Sequence, residues 1–344
     1  MSHSEQTAPQ SLATLKAEGT ACSMNVAAQN RNNMIGICSA VGASIFFSFN
    51  DMAIKFLSGD YALHQIVLIR STLGMLFLMM FILPFEGGLN ALKTKRLPVH
   101  VFRGLCVVVA NMTFFLGLAA MPLAGAVGIF FISPLVITVF SVIFLGETVG
   151  PRRWLAVGIG FVGVVIMLRP GSGSFQVAAL LPLTAAFAYA GLHIMTRKIG
   201  GTEKASTMTF YIQLTFIAVS AAMGLALGDG KFAGASDASL DFLLREWSAP
   251  QVSDYVIFVM LGLSSTIGGY LISQAYRSAE AGLAAPFEYV AMPMAIFWGV
   301  LVFGEWPDKV AWIGISLIIG GGLYAFLREL VQGRMLSARE PKRR

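Results

Sequence analysis

Ionisable side chains occur within stretches of this sequence that are otherwise continuous and apolar. Glu288 lies in APFEYVAMPM between Pro286 and Pro293, and Asp51 and His193 interrupt two other apolar stretches. A charged group at membrane depth costs about 3 kcal/mol or more, and it usually faces a cavity or a partner. These residues therefore indicate polar contacts with a bound molecule, and Asp51 and His193 are also candidates to exchange a coupling proton.

Two stripes of polar residues are related by their spacing. Asp51 and Lys55 are four residues apart and share a helix face, and His193 and Arg197 occupy the matching positions 142 residues later. Tyr189 extends the second stripe by four residues. Two interpretations of the stripes stay open. The side chains contact substrate, or Lys55 and Arg197 extend from helix ends to the lipid headgroups.

Neutral polar and aromatic residues complete the candidate site. Tyr270 and Gln274 share a helix face, and Asn111 lies in another apolar stretch, although such side chains also hold membrane helices together. Phe130 offers a surface on which a flat ring system could stack. We interpret Arg70 as half of a structural ion pair, for which Glu288 is a candidate partner. The predicted substrate-binding residues are Glu288, Asp51, His193, Tyr189, Asn111, Tyr270, Gln274 and Phe130.

The composition of the chain is that of a membrane protein. The 344 residues are 56% hydrophobic and 12% charged, with a mean hydropathy of +0.73. Soluble domains carry about 25% charged residues. Continuous apolar runs of about 17 to 23 residues indicate membrane-spanning helices rather than a barrel. The sequence predicts an all-α polytopic membrane protein whose ten helices cover residues 34–56, 63–83, 101–120, 123–145, 153–168, 177–196, 208–228, 255–276, 281–303 and 310–327.

The distribution of positive charge predicts the orientation. If residues 1–33 form a disordered cytoplasmic tail, 18 of the 24 Lys and Arg residues fall on the cytoplasmic side. The basic tail 329–344 then lies on the same side. This asymmetry accounts for the net charge of +6, so we expect the lipid bilayer, and no nucleic acid, as a partner.

Several kinds of chemistry find no support in the sequence. It has no phosphate-binding glycine loop, no dinucleotide fingerprint and no HExxH motif. The three cysteines are widely spaced, and the four histidines are scattered over residues 3, 64, 100 and 193. We therefore expect no enzyme activity, catalytic residue, metal site or cofactor. A polytopic membrane enzyme or a channel is the alternative class.

The chain contains an internal duplication. When it is shifted by 158 residues, residues 120–165 align with a second copy without a gap, and Gly146-Glu147 falls on Gly304-Glu305. Each half holds five helices, an odd number, so the halves insert in opposite orientations, as in alternating-access transporters. The two copies differ where Phe130 of the first aligns with Glu288 of the second, and we expect the substrate to bind there.

Two stretches carry a resemblance to a known family. They are PLAGAVGIFFISPLVITVFSVIFLGETVGPRRWLAVGIGFVGVVIMLRPG (122–171) and AAPFEYVAMPMAIFWGVLVFGEWPDKVAWIGISLIIGGGLYAF (284–326). The chain resembles the EamA family of ten-helix carriers in the drug/metabolite transporter superfamily. The resemblance implies repeats at 34–170 and 175–328 around a central cavity. Helices 1, 3, 4, 6, 8 and 9 would line that cavity.

A narrower resemblance concerns the substrate. The run FFLGLAAMPLAGAVGIFFISPL, followed by LGETVGPRRW, is similar to carriers for riboflavin or S-adenosylmethionine uptake. It implies a secondary transporter of a small organic metabolite in the bacterial inner membrane, with riboflavin as the first substrate. S-adenosylmethionine uptake, or export of amino acids or other metabolites, is the alternative. The glycine-rich fifth and tenth helices imply contact between the halves or a homodimer.

Overall fold

The computed structural model describes residues 8–147, 150–168 and 177–331, and these residues form helices without strands. The α-helices are α1 (Ala8–Leu57), α2 (Leu63–Phe77), α3 (Leu97–Ala120), α4 (Leu123–Phe130), α5 (Ser133–Phe140), α6 (Pro151–Leu168), α7 (Leu180–Ile199), α8 (Ala205–Leu227), α9 (Ala238–Leu244), α10 (Tyr255–Ser278), α11 (Ala281–Ala284), α12 (Ala291–Phe303) and α13 (Lys309–Val331).

The helical segments confirm the predicted fold class, an all-α polytopic membrane protein. Seven are long and apolar enough to cross a membrane, and three shorter apolar helices bring the total within the described ranges to ten. The seven are Arg31–Leu57, Leu63–Glu86, Leu97–Ala120, Leu123–Leu145, Val177–Ile199, Ala205–Leu227 and Val252–Ser278. The three are Gly158–Leu168, Phe287–Phe303 and Lys309–Gly321.

The helices extend further towards the chain ends than the sequence predicts. Helix α1 begins at Ala8, so most of the segment 1–33 is helical rather than disordered. Its alanine, leucine, glutamine and lysine residues are strong helix formers, which extends the helix beyond the apolar span. Helix α13 likewise runs to Val331, into the expected basic tail. Residues 1–7 and 332–344 lie outside the described ranges.

The helix contacts follow the symmetry of the duplication. The most extensive contacts join α1 to α10 and α3 to α7, and each of these pairs is the other's counterpart in the repeat. Large contacts also join α2 to α8 and α6 to α13, which are equivalent helices of the two halves. The halves therefore interlock through matched interfaces, as expected of an inverted repeat.

The fourth and ninth membrane segments in chain order are both broken near their middle. The fourth consists of α4 and α5, and the break falls between Phe130 and Ser133. The ninth consists of α11, a 3₁₀ turn over Ala285–Val290, and α12. Proline lacks an N–H group and cannot continue an α-helical ladder, and Pro134 follows the first break. Both breaks therefore interrupt the regular α-helical hydrogen bonding near Phe130 and Glu288.

Polar contacts define two opposite faces of the bundle. On the Lys55 face, where α1 ends and α2 begins, the hydroxyl of Tyr61 donates to Asp254 Oδ2 at 2.6 Å. On the Arg197 face, where α7 ends and α8 begins, Thr94 donates to Glu203 Oε1 at 2.7 Å. The Lys55 face and the Arg197 face carry equivalent residues of the repeat.

A close backbone approach joins α6 to α13. A Cβ atom on Gly163 would lie 2.8 Å from the carbonyl oxygen of Gly314, so a larger residue would push the helices apart. Glycine permits such packing between membrane helices. The glycine-rich segments thus serve contact between the two halves, and a homodimer stays a prediction.

Candidate functional site

Glu288 lies at the break in the ninth segment, where two tyrosines hold its carboxylate. The hydroxyl of Tyr189 on α7 donates to Oε2 at 2.7 Å, and that of Tyr276 on α10 donates to Oε1. Glu288 is only 6% exposed. An ionised carboxylate has about four lone-pair positions. Each oxygen therefore keeps capacity to accept a further hydrogen bond.

The imidazole of His193 lies between the same two tyrosines. Its ring centroid is 4.1 Å from that of Tyr189 and 4.0 Å from that of Tyr276, against which it stacks. Both ring nitrogens are buried and have no hydrogen-bond partner among the described residues. Buried polar atoms normally find a partner. His193 therefore offers a donor and an acceptor that the protein itself leaves unused.

Aromatic rings continue from this cluster towards α3. The ring of Phe130 lies 5.1 Å from that of Tyr189 and 4.8 Å from that of Phe114. On the other side, Phe131 packs 5.5 Å from Tyr289, which is its counterpart in the second half. The hydroxyl of Tyr289 is buried without a partner in the described part of the chain. The two broken segments thus meet through aromatic side chains.

Asp51 interacts electrostatically with Arg70 and with Tyr189, the second of which donates to Glu288. Arg70 Nη1 donates to Asn50 Oδ1 at 2.8 Å. The guanidinium also lies over the rings of Phe115 and Phe216, at 5.5 and 5.1 Å. Arg70, which is 3% exposed, is therefore anchored to α1 and not to Glu288. The role of Asp51 in substrate binding stays a prediction.

Three other candidates have polar partners away from the Glu288 carboxylate. Asn111 donates to a carbonyl of its own helix at 3.1 Å. Tyr270 donates to Glu86 Oε1 at 2.6 Å, and Gln274 donates to Ser278 Oγ at 3.0 Å. These contacts are typical of side chains that hold helices together. The assignment of Asn111, Tyr270 and Gln274 to the substrate site stays a prediction.

Tyr276 is the member of the cluster that sequence reasoning missed. It is fully buried on α10, six residues after Tyr270 and on a different face of that helix. Tyr270 and Gln274 were chosen instead because they are two polar residues at helical spacing, and Tyr276 does not share their face. The available signal was an aromatic residue with a hydroxyl group near the end of an apolar helix.

The family is established by comparison with known sequences. The model of the EamA-like transporter family matches residues 34–169 and 176–327, which is most of the chain. The chain belongs to the EamA-like transporter family. The resemblance drawn from the repeated Gly-Glu motifs is therefore confirmed, and the family name indicates a transporter rather than an enzyme.

Curated relatives of this EamA-like chain include uptake and export proteins. It is 28% identical over 312 residues to a riboflavin transporter of Rhizobium johnstonii, covering 90% of this chain and 97% of the relative. It is 27% identical over 294 residues to an S-adenosylmethionine uptake transporter of Rickettsia prowazekii, covering 86% and 93%. It is 28% identical over 287 residues to the pseudopaline exporter CntI of Pseudomonas aeruginosa, covering 83% and 93%.

A solved crystal structure has the same fold as this EamA-like chain. The two superpose with a TM-score of 0.63 at 20% identity, over 88% of this chain and 99% of the other. At this identity the likeness concerns the fold alone.

Proposed function

We propose that this protein is a secondary active transporter that carries riboflavin across the bacterial inner membrane by alternating access. The observation that carries the proposal is the buried carboxylate of Glu288, held by Tyr189 and Tyr276 at the break of the ninth segment. Discontinuous helices at mid-membrane are typical of substrate sites in transporters built from inverted repeats. Relatives named riboflavin transporter support the substrate.

The chemistry of the site suits a flat molecule that carries hydrogen-bonding groups. Phe130 and Tyr189 offer ring faces for an isoalloxazine ring, since aromatic pairs favour offset or edge contacts. The free lone pairs of Glu288 can accept from the imide N–H or the ribityl hydroxyls, and His193 can serve either as donor or as acceptor. We assign Glu288, Tyr189, Tyr276, His193 and Phe130 to the substrate site.

The orientation and the energy source complete the proposal. Both termini lie in the cytoplasm, because most positive charges then fall on the cytoplasmic side. The Arg197 face is then cytoplasmic, and the Lys55 face is periplasmic. Transport is driven by an ion gradient or by the gradient of the substrate. His193 and Asp51 are the groups that a coupling proton would use.

S-adenosylmethionine is the second candidate substrate. It is a cation with a flat adenine ring, and the buried carboxylate of Glu288 favours a cation more strongly than a neutral ligand. Relatives named S-adenosylmethionine uptake transporter support it at a similar identity. The two candidates differ in charge, so growth experiments can separate them.

Expression of this chain is expected to rescue a riboflavin auxotroph that lacks its own uptake system. At limiting external riboflavin, the strain should need about tenfold less vitamin than the same strain with an empty vector, since a carrier raises entry above passive leakage. The measurement is growth yield against riboflavin concentration. A parallel strain that requires external S-adenosylmethionine tests the second candidate. Absence of rescue by riboflavin contradicts the primary assignment, and rescue of the second strain alone replaces it.

A further inference from the structure

An ion pair closes the Lys55 face of the bundle. Lys55 Nζ lies 2.8 Å from Glu305 Oε1 and donates to the carbonyl oxygen of Met121 at 2.7 Å. Glu305 Oε2 accepts from the backbone N–H of Leu123 at 2.9 Å. These contacts tie the end of α1 to the beginning of α4 and to the end of α12. The first and second halves are therefore fastened together at this face.

The duplication places an equivalent set of residues at the Arg197 face. Glu147 and Glu305 follow the same backbone turn, since Gly146 and Gly304 have φ values of +68° and +65°. The backbone N–H of Glu147 donates to the carbonyl oxygen of Ser141 at 3.2 Å. The backbone N–H of Glu305 donates in the same way to that of Gly299, the counterpart of Ser141, at 2.9 Å. The counterparts of Lys55, Glu305, Met121 and Leu123 are Arg197, Glu147, Ala279 and Ala281.

The second set of contacts is not formed in this structure. Arg197 donates to the carbonyl oxygen of Arg277 at 3.4 Å, and no carboxylate lies within 4 Å of its guanidinium in the described part of the chain. Glu147 Oε2 is buried without a hydrogen-bond partner among the described residues. A buried carboxylate oxygen without a partner is costly, and a polar group normally avoids that state. One face is thus latched while its counterpart is not.

We propose that Arg197 and Glu147 form the equivalent latch in the opposite conformation of the carrier, when the Lys55–Glu305 pair is open. In that state Arg197 donates to the carbonyl oxygen of Ala279, and Glu147 accepts from the N–H of Ala281. The inference rests on the proposed carrier function, because only alternating access requires two such states. Each state then makes one ion pair, so exchanging one pair for the other leaves the two conformations close in free energy.

Paired cysteines test whether the second latch forms. In a background without the native cysteines, Lys55→Cys is combined with Glu305→Cys, and Arg197→Cys with Glu147→Cys. A short bifunctional thiol reagent is expected to cross-link both pairs, because the protein visits both states. The control combines Lys198→Cys with Glu147→Cys, since Lys198 is exposed on the neighbouring helix face. The Arg197 pair should exceed this control about fivefold or more. A yield equal to that of the control overturns the proposal.

The exchange of latches has its own test. Adding Glu305→Gln to the variant with cysteines at positions 197 and 147 removes a partner of Lys55. Cross-linking of that cysteine pair should then rise about twofold or more, because the population shifts towards the opposite state. An unchanged or lower yield contradicts the exchange. Cross-linking needs no substrate, so its result is independent of the growth test. If both cysteine pairs cross-link but riboflavin does not rescue growth, the two latches are supported and riboflavin is rejected as the substrate. If riboflavin rescues growth but the Arg197 pair does not cross-link, riboflavin is supported and the second latch is rejected.

Discussion

Transport by the Glu288→Gln variant is expected to fall about ten- to hundredfold below that of the unchanged protein. The carboxylate of Glu288 accepts from Tyr189 and Tyr276 at once. Glutamine replaces one accepting oxygen with an NH₂ donor, which leaves one tyrosine hydroxyl without its acceptor and removes the negative charge. Losing a buried hydrogen bond to a charged group costs about 1.5 to 3 kcal/mol, and each 1.4 kcal/mol is tenfold in rate. The measurement is initial uptake in proteoliposomes.

The matched control for this variant is Glu246→Gln. Glu246 is exposed just after the end of α9, so the same chemical change there should leave uptake within about twofold of the unchanged protein. Thermal unfolding in detergent establishes that Glu288→Gln still folds. If a folded Glu288→Gln variant transports as well as the control, Glu288 is not part of the substrate site.

Replacing Arg70 with leucine is expected to destabilise the protein by about 3 kcal/mol or more. The change removes the donor to Asn50 and leaves Asp51 as a charge without its partner in the bundle. Leaving the buried Asn50 oxygen without a charged donor costs about 1.5 to 3 kcal/mol, and the lost attraction to Asp51 adds to that cost. The measurement is the thermal unfolding temperature in detergent, compared with that of the exposed-site control Lys198→Gln.

A second substitution separates the charge of Asp51 from the packing of Arg70. Combining Arg70→Leu with Asp51→Asn removes the uncompensated charge, so part of the lost stability should return, by about 1 kcal/mol or more. The rings of Phe115 and Phe216 can then pack on leucine. If the double variant unfolds at the same temperature as Arg70→Leu, the charge of Asp51 is not what Arg70 stabilises.

The fold could be predicted from the sequence because its signals are long and local. Ten apolar helices occur within the described residues, seven of them long enough to cross a membrane, and their boundaries fall close to the predicted ones. The internal repeat also predicted that the two halves insert in opposite orientations, since each contains an odd number of helices. The extension of α1 to Ala8 was missed because the polar composition was taken as a sign of disorder, although alanine favours a helix.

The site could be predicted only in part. The mismatch of Phe130 and Glu288 lies at the two helix breaks, although the sequence predicted continuous helices over 123–145 and 281–303. Helical spacing showed which residues share a face but not which helix that face meets. Spacing therefore placed Asp51 on the face of Lys55 but did not show that it interacts with Arg70 and Tyr189. Tyr276 was passed over for the same reason, although it contacts Glu288.

Counterflow of riboflavin in proteoliposomes tests the central claim most directly. Vesicles that contain the purified protein are loaded with unlabelled riboflavin and diluted into a trace of labelled riboflavin. A carrier with one alternately exposed site exchanges the two, so labelled riboflavin should transiently accumulate about tenfold over unloaded vesicles and then decline. The initial rate should saturate with riboflavin concentration. Flux that rises linearly with concentration and is unaffected by loading would contradict an alternating-access riboflavin carrier.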